Sequence, residues 1–220
     1  MMNVDSTCIQ VLTNAYLSTS KLTDRAGLIS ALSFIGDDRV NVLLLNTMTN
    51  EMEGRALGPQ EARMMMWLPT SLGVLARRSD AAYHFIIEEG SWPSFWSQHR
   101  PWKREEDDEL VNDQLAGLCI QALGYSERSD LDAVLESLKN RRDQGFPRQF
   151  NSAIVQAAFY QSVITQYGGF VRASNLVLND ANRSFDVFVK WIQSPEGKRW
   201  EEWSDQAGRI GRTTNSEPGK

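Results

Sequence analysis

Few residues in this 220-residue chain are of the types that bind metals or activate substrates. His84 and Glu88 lie four residues apart, so on a helix they share one face and offer half of a metal site. His99 is the only other histidine, so no second pair completes the site. We therefore interpret His84 as a polar residue near a helix end, and the sequence predicts neither a bound metal nor a cofactor.

Candidate nucleophiles are equally sparse. Cys8 and Cys119 both fall in apolar helical patterns, which predicts two buried, reduced thiols, although a single disulfide between them stays open. A thiolate at Cys119, paired with either histidine, would be poorly stabilised in a core stripe. The chain contains no Cys-x-x-Cys pair, phosphate-binding glycine loop or Gly-x-Ser-x-Gly elbow. We predict no catalytic residues and expect a protein that is not an enzyme.

One stretch, from 92 to 104, concentrates aromatic and cationic residues. Trp and Arg are enriched at binding hot spots because each combines a large contact area with a directional polar group. The predicted partner-binding residues are Trp92, Phe95, Trp96, His99, Arg100 and Trp102. A hydrophobic clip, with these aromatics tucked between neighbouring helix pairs, explains the same composition, and from the sequence both interpretations stay open.

Helical periodicity dominates the elements that must position these residues. Apolar residues recur at three- and four-residue spacing in ten stretches, covering 7–17, 22–35, 40–48, 62–76, 82–89, 115–123, 131–138, 148–167, 185–192 and 195–210. Thr23 and Asp24 are predicted to cap the second helix, and Pro69 to kink the fourth. Residues 91–109 read as an irregular insertion with one helical turn, and 170–178 as either a short helix or an extended segment.

Composition limits the class of protein. With 41% hydrophobic and 23% charged residues, the chain is predicted to form a single α-helical domain over 1–211, followed by a flexible tail over 212–220. The net charge of −5 argues against partners such as nucleic-acid backbones and anionic membranes. No secretory signal is visible, and the apolar runs are too short to span a bilayer, so we expect a soluble, cytoplasmic protein.

Two of the helical hairpins are similar to each other. Ala31-Leu32 precedes the turn at 36–39, Ala122-Leu123 precedes the turn at 127–130, and in both copies eight residues separate the leucine from the first apolar residue of the next helix. The segment from Ala31 to Val40 resembles a HEAT-type repeat, whose consensus places Ala-Leu ahead of a Gly-Asp-x-Arg turn. The second copy lacks the Gly-Asp pair. A poorer third copy, Ser71-Leu72 before Arg78-Ser79-Asp80, makes the spacing between copies uneven, at about forty and about fifty residues. The resemblance implies a short HEAT-like α-solenoid of stacked antiparallel hairpins, with an irregular helical bundle as the alternative.

The resemblance also implies a function, because such scaffolds mainly bind other proteins. We therefore expect a non-catalytic protein–protein interaction module whose partner is another protein. One alternative is nucleic-acid binding, since some HEAT-like proteins are alkylpurine glycosylases. Its candidate basic residues are Arg77, Arg78, Arg100, Lys103, Arg104, Arg141, Arg142 and Arg148. A third class is a helical enzyme or ligand-binding protein with a pocket among Tyr83, His84, Tyr160 and Tyr167.

Overall fold

A computed structural model describes residues 6–36, 38–49, 66–99, 108–141 and 149–213. These residues form twelve α-helices and no strand, which confirms the all-α prediction for them. The chain divides into two compact units, Met1–Ser126 and Glu127–Lys220, and the domain predicted over 1–211 covers the first and most of the second.

The described part of the first unit contains seven helices. They are α1 (Ser6–Ser18), α2 (Leu22–Ile35), α3 (Asp38–Thr49), α4 (Leu68–Ala76), α5 (Asp80–Phe85), α6 (Pro93–His99) and α7 (Asp108–Ala122). A π-helical turn, Ile86–Gly90, continues α5, and a 3-10 turn, Leu123–Tyr125, follows α7. Gly36 ends α2 in the left-handed conformation at φ 76°, as a helix-stopping glycine does. Ser79 begins α5 by accepting a hydrogen bond from the Ala82 amide at 3.2 Å.

Helix α4 is the centre of the first unit. Nearly all of its residues are buried, and it contacts α2, α3, α5 and α7. Its approach to α7 is very close, since a Cβ built on Gly73 would lie 2.1 Å from the Ala122 carbonyl oxygen. A glycine at this point therefore lets two helix backbones pack directly against each other.

Several local predictions in this unit were wrong. Pro69 does not kink a helix, because α4 begins at Leu68 and places Pro69 in its first turn, where the missing N–H has no helical partner to lose. Thr23 and Asp24 are not caps, because α2 already begins at Leu22. The predicted irregular insertion at 91–109 contains the seven-residue helix α6. The predictions for residues 50–65 and 100–107 lie outside the described residues.

The second unit is built around α9 (Gln149–Gln166), whose apolar residues are buried over most of its length, as its all-round apolar pattern predicts. The other described helices are α8 (Leu131–Asn140), α10 (Phe170–Ala173), α11 (Ala181–Ile192) and α12 (Pro195–Thr213). A π-helical turn, Ser174–Leu178, continues α10, so the ambiguous segment is helical. Because α12 ends at Thr213, the first two residues of the predicted tail are helical, and 214–220 lie outside the described residues.

Helix α12 is held against α8 by two polar contacts. The Lys139 ammonium lies 4.0 Å from the ring centroid of Trp200, which is fully buried. The Arg199 guanidinium is 3.2 Å from both carboxylate oxygens of Asp132. These contacts join α8 and α12, which come from the two ends of the second unit's sequence. Both helices also contact α9.

Candidate interaction surface

The predicted contact segment lies on α6 and just before it. Trp96 is fully buried, and its indole Nε1 donates a hydrogen bond to the Gly90 carbonyl oxygen at 2.8 Å. The ring centroid of Trp96 is 5.0 Å from that of Phe95 and 6.5 Å from that of Phe85, with both pairs edge to face. Trp96 thus belongs to the core of the first unit, as the clip interpretation proposes for these aromatics.

The remaining predicted contact residues differ in exposure. Trp92 and Phe95 are half-buried, and His99 is exposed and stacks on Phe95 with ring centroids 4.3 Å apart. Arg100 and Trp102 lie outside the described residues. Partner binding through Trp92, Phe95 and His99 stays a prediction, since a half-buried ring leaves one edge available for a contact.

The described residues offer little for metal chemistry. His84 and Glu88 do share a helix face, with Nδ1 and Oε1 3.8 Å apart, but both side chains are exposed to solvent. No group of three metal-ligating side chains occurs in the described part of the chain. The pair is therefore a surface contact at the end of α5.

The two thiols differ from the prediction and from each other. Both are free, and Cys119 is buried as expected, whereas Cys8 is exposed. Cys8 was placed in the core wrongly, because α1 turns a different stripe, centred on the buried Tyr16, toward α2. Burial raises the pKa of the Cys119 thiol far above its ordinary value, so the thiol stays protonated and is a poor nucleophile.

One depression of about 420 Å³ lies within the second unit. Its lining residues are Glu127, Arg128, Ser129, Gln161, Ile164, Thr165, Gly168 and Gly169. The two glycines end α9, with the Gly169 N–H bonded to the Ile164 carbonyl and the Gly168 N–H bonded to the Thr165 carbonyl. The Glu127 carboxylate, on a residue with φ 54°, accepts the backbone N–H that opens α10 at 2.7 Å. These bonds explain the shape of the depression as the junction of a loop with two helix ends.

A second candidate surface is on α11, and the local sequence explains how both ends of this helix are fixed. The Asp180 side chain caps its N-terminus by accepting the backbone N–H groups of Asn182 and Arg183, each at 3.1 Å. At the other end, Ser194 caps α12 by accepting the Gly197 N–H at 3.1 Å. A Cβ on Gly197 would lie 2.1 Å from the Trp191 carbonyl oxygen, so the start of α12 packs directly on the last turn of α11.

The inner side of α11 is aromatic. The ring centroids of Phe188 and Trp191 lie 5.1 Å and 5.5 Å from that of Phe159 on α9. Trp191 is buried and Phe188 half-buried. This cluster attaches α11 to the central helix of the unit.

The apolar pattern of α11 extends beyond this inner side. Phe185, Phe188, Val189 and Ile192 follow the spacing of a single helix face, and we call them the α11 stripe. Phe185 is 65% exposed and Val189 is 38% exposed. Next to the stripe on the solvent side are Asp186 and Lys190, both exposed. Two turns of helix therefore present apolar side chains to water with one acidic and one basic residue beside them.

Comparison with known proteins supplies no relative from which to transfer a role, because no family model, curated protein or solved structure matches the chain. No helix in the described ranges is both long and apolar enough to cross a bilayer.

Proposed function

We propose that this chain is a non-catalytic protein–protein interaction module of the HEAT-like helical-repeat type, and that the α11 stripe is its contact surface. The observation that carries the proposal is the exposure of Phe185 in line with Val189 on a helix fixed at both ends. Burying a Phe side chain that is otherwise left in water contributes about 1.5–3 kcal/mol. Aligned apolar residues rimmed by charges are typical of protein contact sites.

The order of helix contacts supports the helical-repeat part of the proposal. In the first unit α1 contacts α2, α2 contacts α3, and α4 contacts α5, as expected when successive helices form hairpins. Helix α2 also contacts α4, which joins one hairpin to the next.

A capture experiment tests the proposed function. Purified wild-type protein is immobilised beside a Phe185→Glu variant and incubated with lysate of the source organism. A Val42→Glu variant is the matched control, because Val42 is 69% exposed in the middle of α3 and also exchanges an exposed apolar side chain for a carboxylate. Circular dichroism must first show equal helicity and equal melting for all three proteins.

We expect at least one captured protein that wild type and Val42→Glu retain and Phe185→Glu loses. If wild type and both variants capture the same set of proteins, the α11 stripe is not the contact surface. A Trp92→Ala variant in the same experiment tests the other predicted segment. Loss of a captured protein by Trp92→Ala alone would move the contact surface to the segment before α6.

A further inference from the structure

We infer that the occupant of the α11 stripe is the same stripe of a second copy of this chain, packed antiparallel about a twofold axis near Phe188 and Val189. The inference rests on the proposed function, since it names the partner of the surface proposed there. It follows from the symmetry of the stripe, from the charges beside it and from the way the helix is fixed.

The stripe is symmetric about its own centre. The midpoint between Phe188 and Val189 is also the midpoint between Phe185 and Ile192. A helix turned end for end about that point places Phe185 opposite Ile192 and Val189 opposite Phe188 of the other copy, so each exposed apolar side chain meets a half-buried apolar one. A twofold contact requires this kind of self-complementarity, because the same surface must serve both partners.

The charged residues beside the stripe favour antiparallel pairing of the two α11 helices. Asp186 and Lys190 lie on the same side of the helix and nearly equidistant from the centre of the stripe. An antiparallel pair brings Asp186 of each copy opposite Lys190 of the other, whereas a parallel twofold pair places these residues on opposite flanks of the contact, where they do not meet. Among the residues that the structure describes, neither side chain has an ion-pair partner, so both are available for this contact.

The same charges argue against a lipid surface as the occupant. Helices that lie in a membrane interface carry an excess of Lys and Arg on the polar face, which attracts anionic lipid. Of the three charged residues on α11, the basic Arg183 is already paired with Asp180 at 3.3 Å, which leaves one acidic and one basic residue, Asp186 and Lys190, beside the stripe. A second protein surface of matching pattern suits it better, and this chain itself carries one.

The fixed ends of α11 favour association without rearrangement. The Asp180 cap and the close contact of Gly197 with the Trp191 carbonyl hold the helix in place before any partner arrives. Little ordering is then required on binding, which lowers one of the costs of association. One helix face is small for a stable dimer, so we expect a weak dimer that forms with rising concentration.

Sedimentation equilibrium of the purified full chain over a wide concentration range tests the inference. Wild type and Val42→Glu should shift from monomer toward dimer mass, and Phe185→Glu should stay monomeric. The antiparallel direction of the pair is tested by Asp186→Lys and Lys190→Asp, each of which should weaken the dimer. The double variant, which carries both changes, should restore it. Since the single changes move the net charge of −5 in opposite directions, to −3 and to −7, weakening by both cannot come from overall charge.

A disulfide test locates the axis independently. In a Cys8→Ser background, Val189→Cys should give a disulfide-linked dimer under mild oxidation, because the two copies of residue 189 lie about 1.5 Å apart along the axis of the pair. Val171→Cys, at another exposed apolar position of the same unit, should give no disulfide-linked dimer. Equal cross-linking of the two variants would overturn the assigned contact.

The outcomes separate this inference from the proposed function. A wild-type chain that stays monomeric at every concentration overturns the second copy as occupant. So does a dimer that both single charge reversals leave unchanged. If Phe185→Glu nevertheless loses a different captured protein, the interaction module stands with a foreign partner. If capture is also unchanged, the proposed function fails as well.

Discussion

Gly73 lies where the backbones of α4 and α7 come closest, and adding one methyl group there tests that approach. The new Cβ of Gly73→Ala would lie 2.1 Å from the Ala122 carbonyl oxygen and 2.9 Å from the Ala122 Cβ, whereas ordinary contacts begin near 3.4 Å. The obstacle is backbone, so no side-chain rotation relieves it. The two helices must separate by more than an ångström at the centre of the first unit.

The expected loss follows from two opposing effects. Overpacking a buried site costs about 1–3 kcal/mol, and the rigid backbone obstacle places this site at the upper end. Replacing a mid-helix glycine with alanine returns about 1 kcal/mol of helix propensity. We therefore expect Gly73→Ala to lower the free energy of unfolding by about 2 kcal/mol. A loss of that size lowers Tm by about 4–8 °C in proteins of about 150–250 residues.

Gly27→Ala is the matched control in the same unit. Gly27 also lies inside a helix, α2, but a Cβ built on it meets nothing within 4 Å. Its substitution should raise the free energy of unfolding by about 0.5–1 kcal/mol through propensity alone. Urea unfolding followed by circular dichroism measures the free energy of unfolding of both variants. The slope of that free energy against urea concentration should be the same as for wild type. A Gly73→Ala protein as stable as wild type would refute the close approach of α4 and α7.

Three further predictions test other contacts. Trp96→Phe removes the indole donor to the Gly90 carbonyl and leaves a gap, so urea unfolding should show a loss of about 2–4 kcal/mol, and no loss would contradict the buried placement. A thiol reagent should modify Cys8 rapidly in the native protein but Cys119 only after unfolding, because burial raises the pKa of the Cys119 thiol; equal rates would exclude that burial. Glu127→Ala removes the carboxylate that caps α10, so hydrogen exchange at the first amide of α10 should speed up about fivefold for a loss of about 1 kcal/mol, while unchanged protection would dismiss the cap.

The predictable part of this fold is the part determined locally. Apolar spacing located the described helices except α6 and α10, because a helix face repeats every three or four residues whatever it packs against. Gly36 and Gly168 follow the ends of α2 and α9 with a φ of 76° each, so both helices end where the sequence supplies a glycine. Left-handed termination depends on the glycine itself rather than on distant contacts.

The unpredicted features depend on tertiary contacts. Pro69 fits a kink and a first turn equally well, and only the burial of α4 against its neighbours shows which occurs. Composition marked the segment around Trp96 as unusual, but could not show that this one ring fills the core while His99 next to it in the helix faces solvent. Periodicity likewise placed Phe185 with Val189 on one face, and could not show that both side chains are exposed.

Phe185 is a better position than Phe188 at which to test the α11 stripe as a contact surface. A single exposed apolar side chain is common in folded proteins, so exposure of Phe185 alone would carry little weight. Its alignment with Val189, the fixed ends of α11 and the symmetry of the stripe carry the argument together. Phe188 belongs to the same stripe but packs on Phe159 with ring centroids 5.1 Å apart, so its substitution would disturb folding and binding at once. Phe185 makes a smaller contribution to the folded chain, and loss of association on changing it to Glu with helicity and melting unchanged therefore reports on the surface itself.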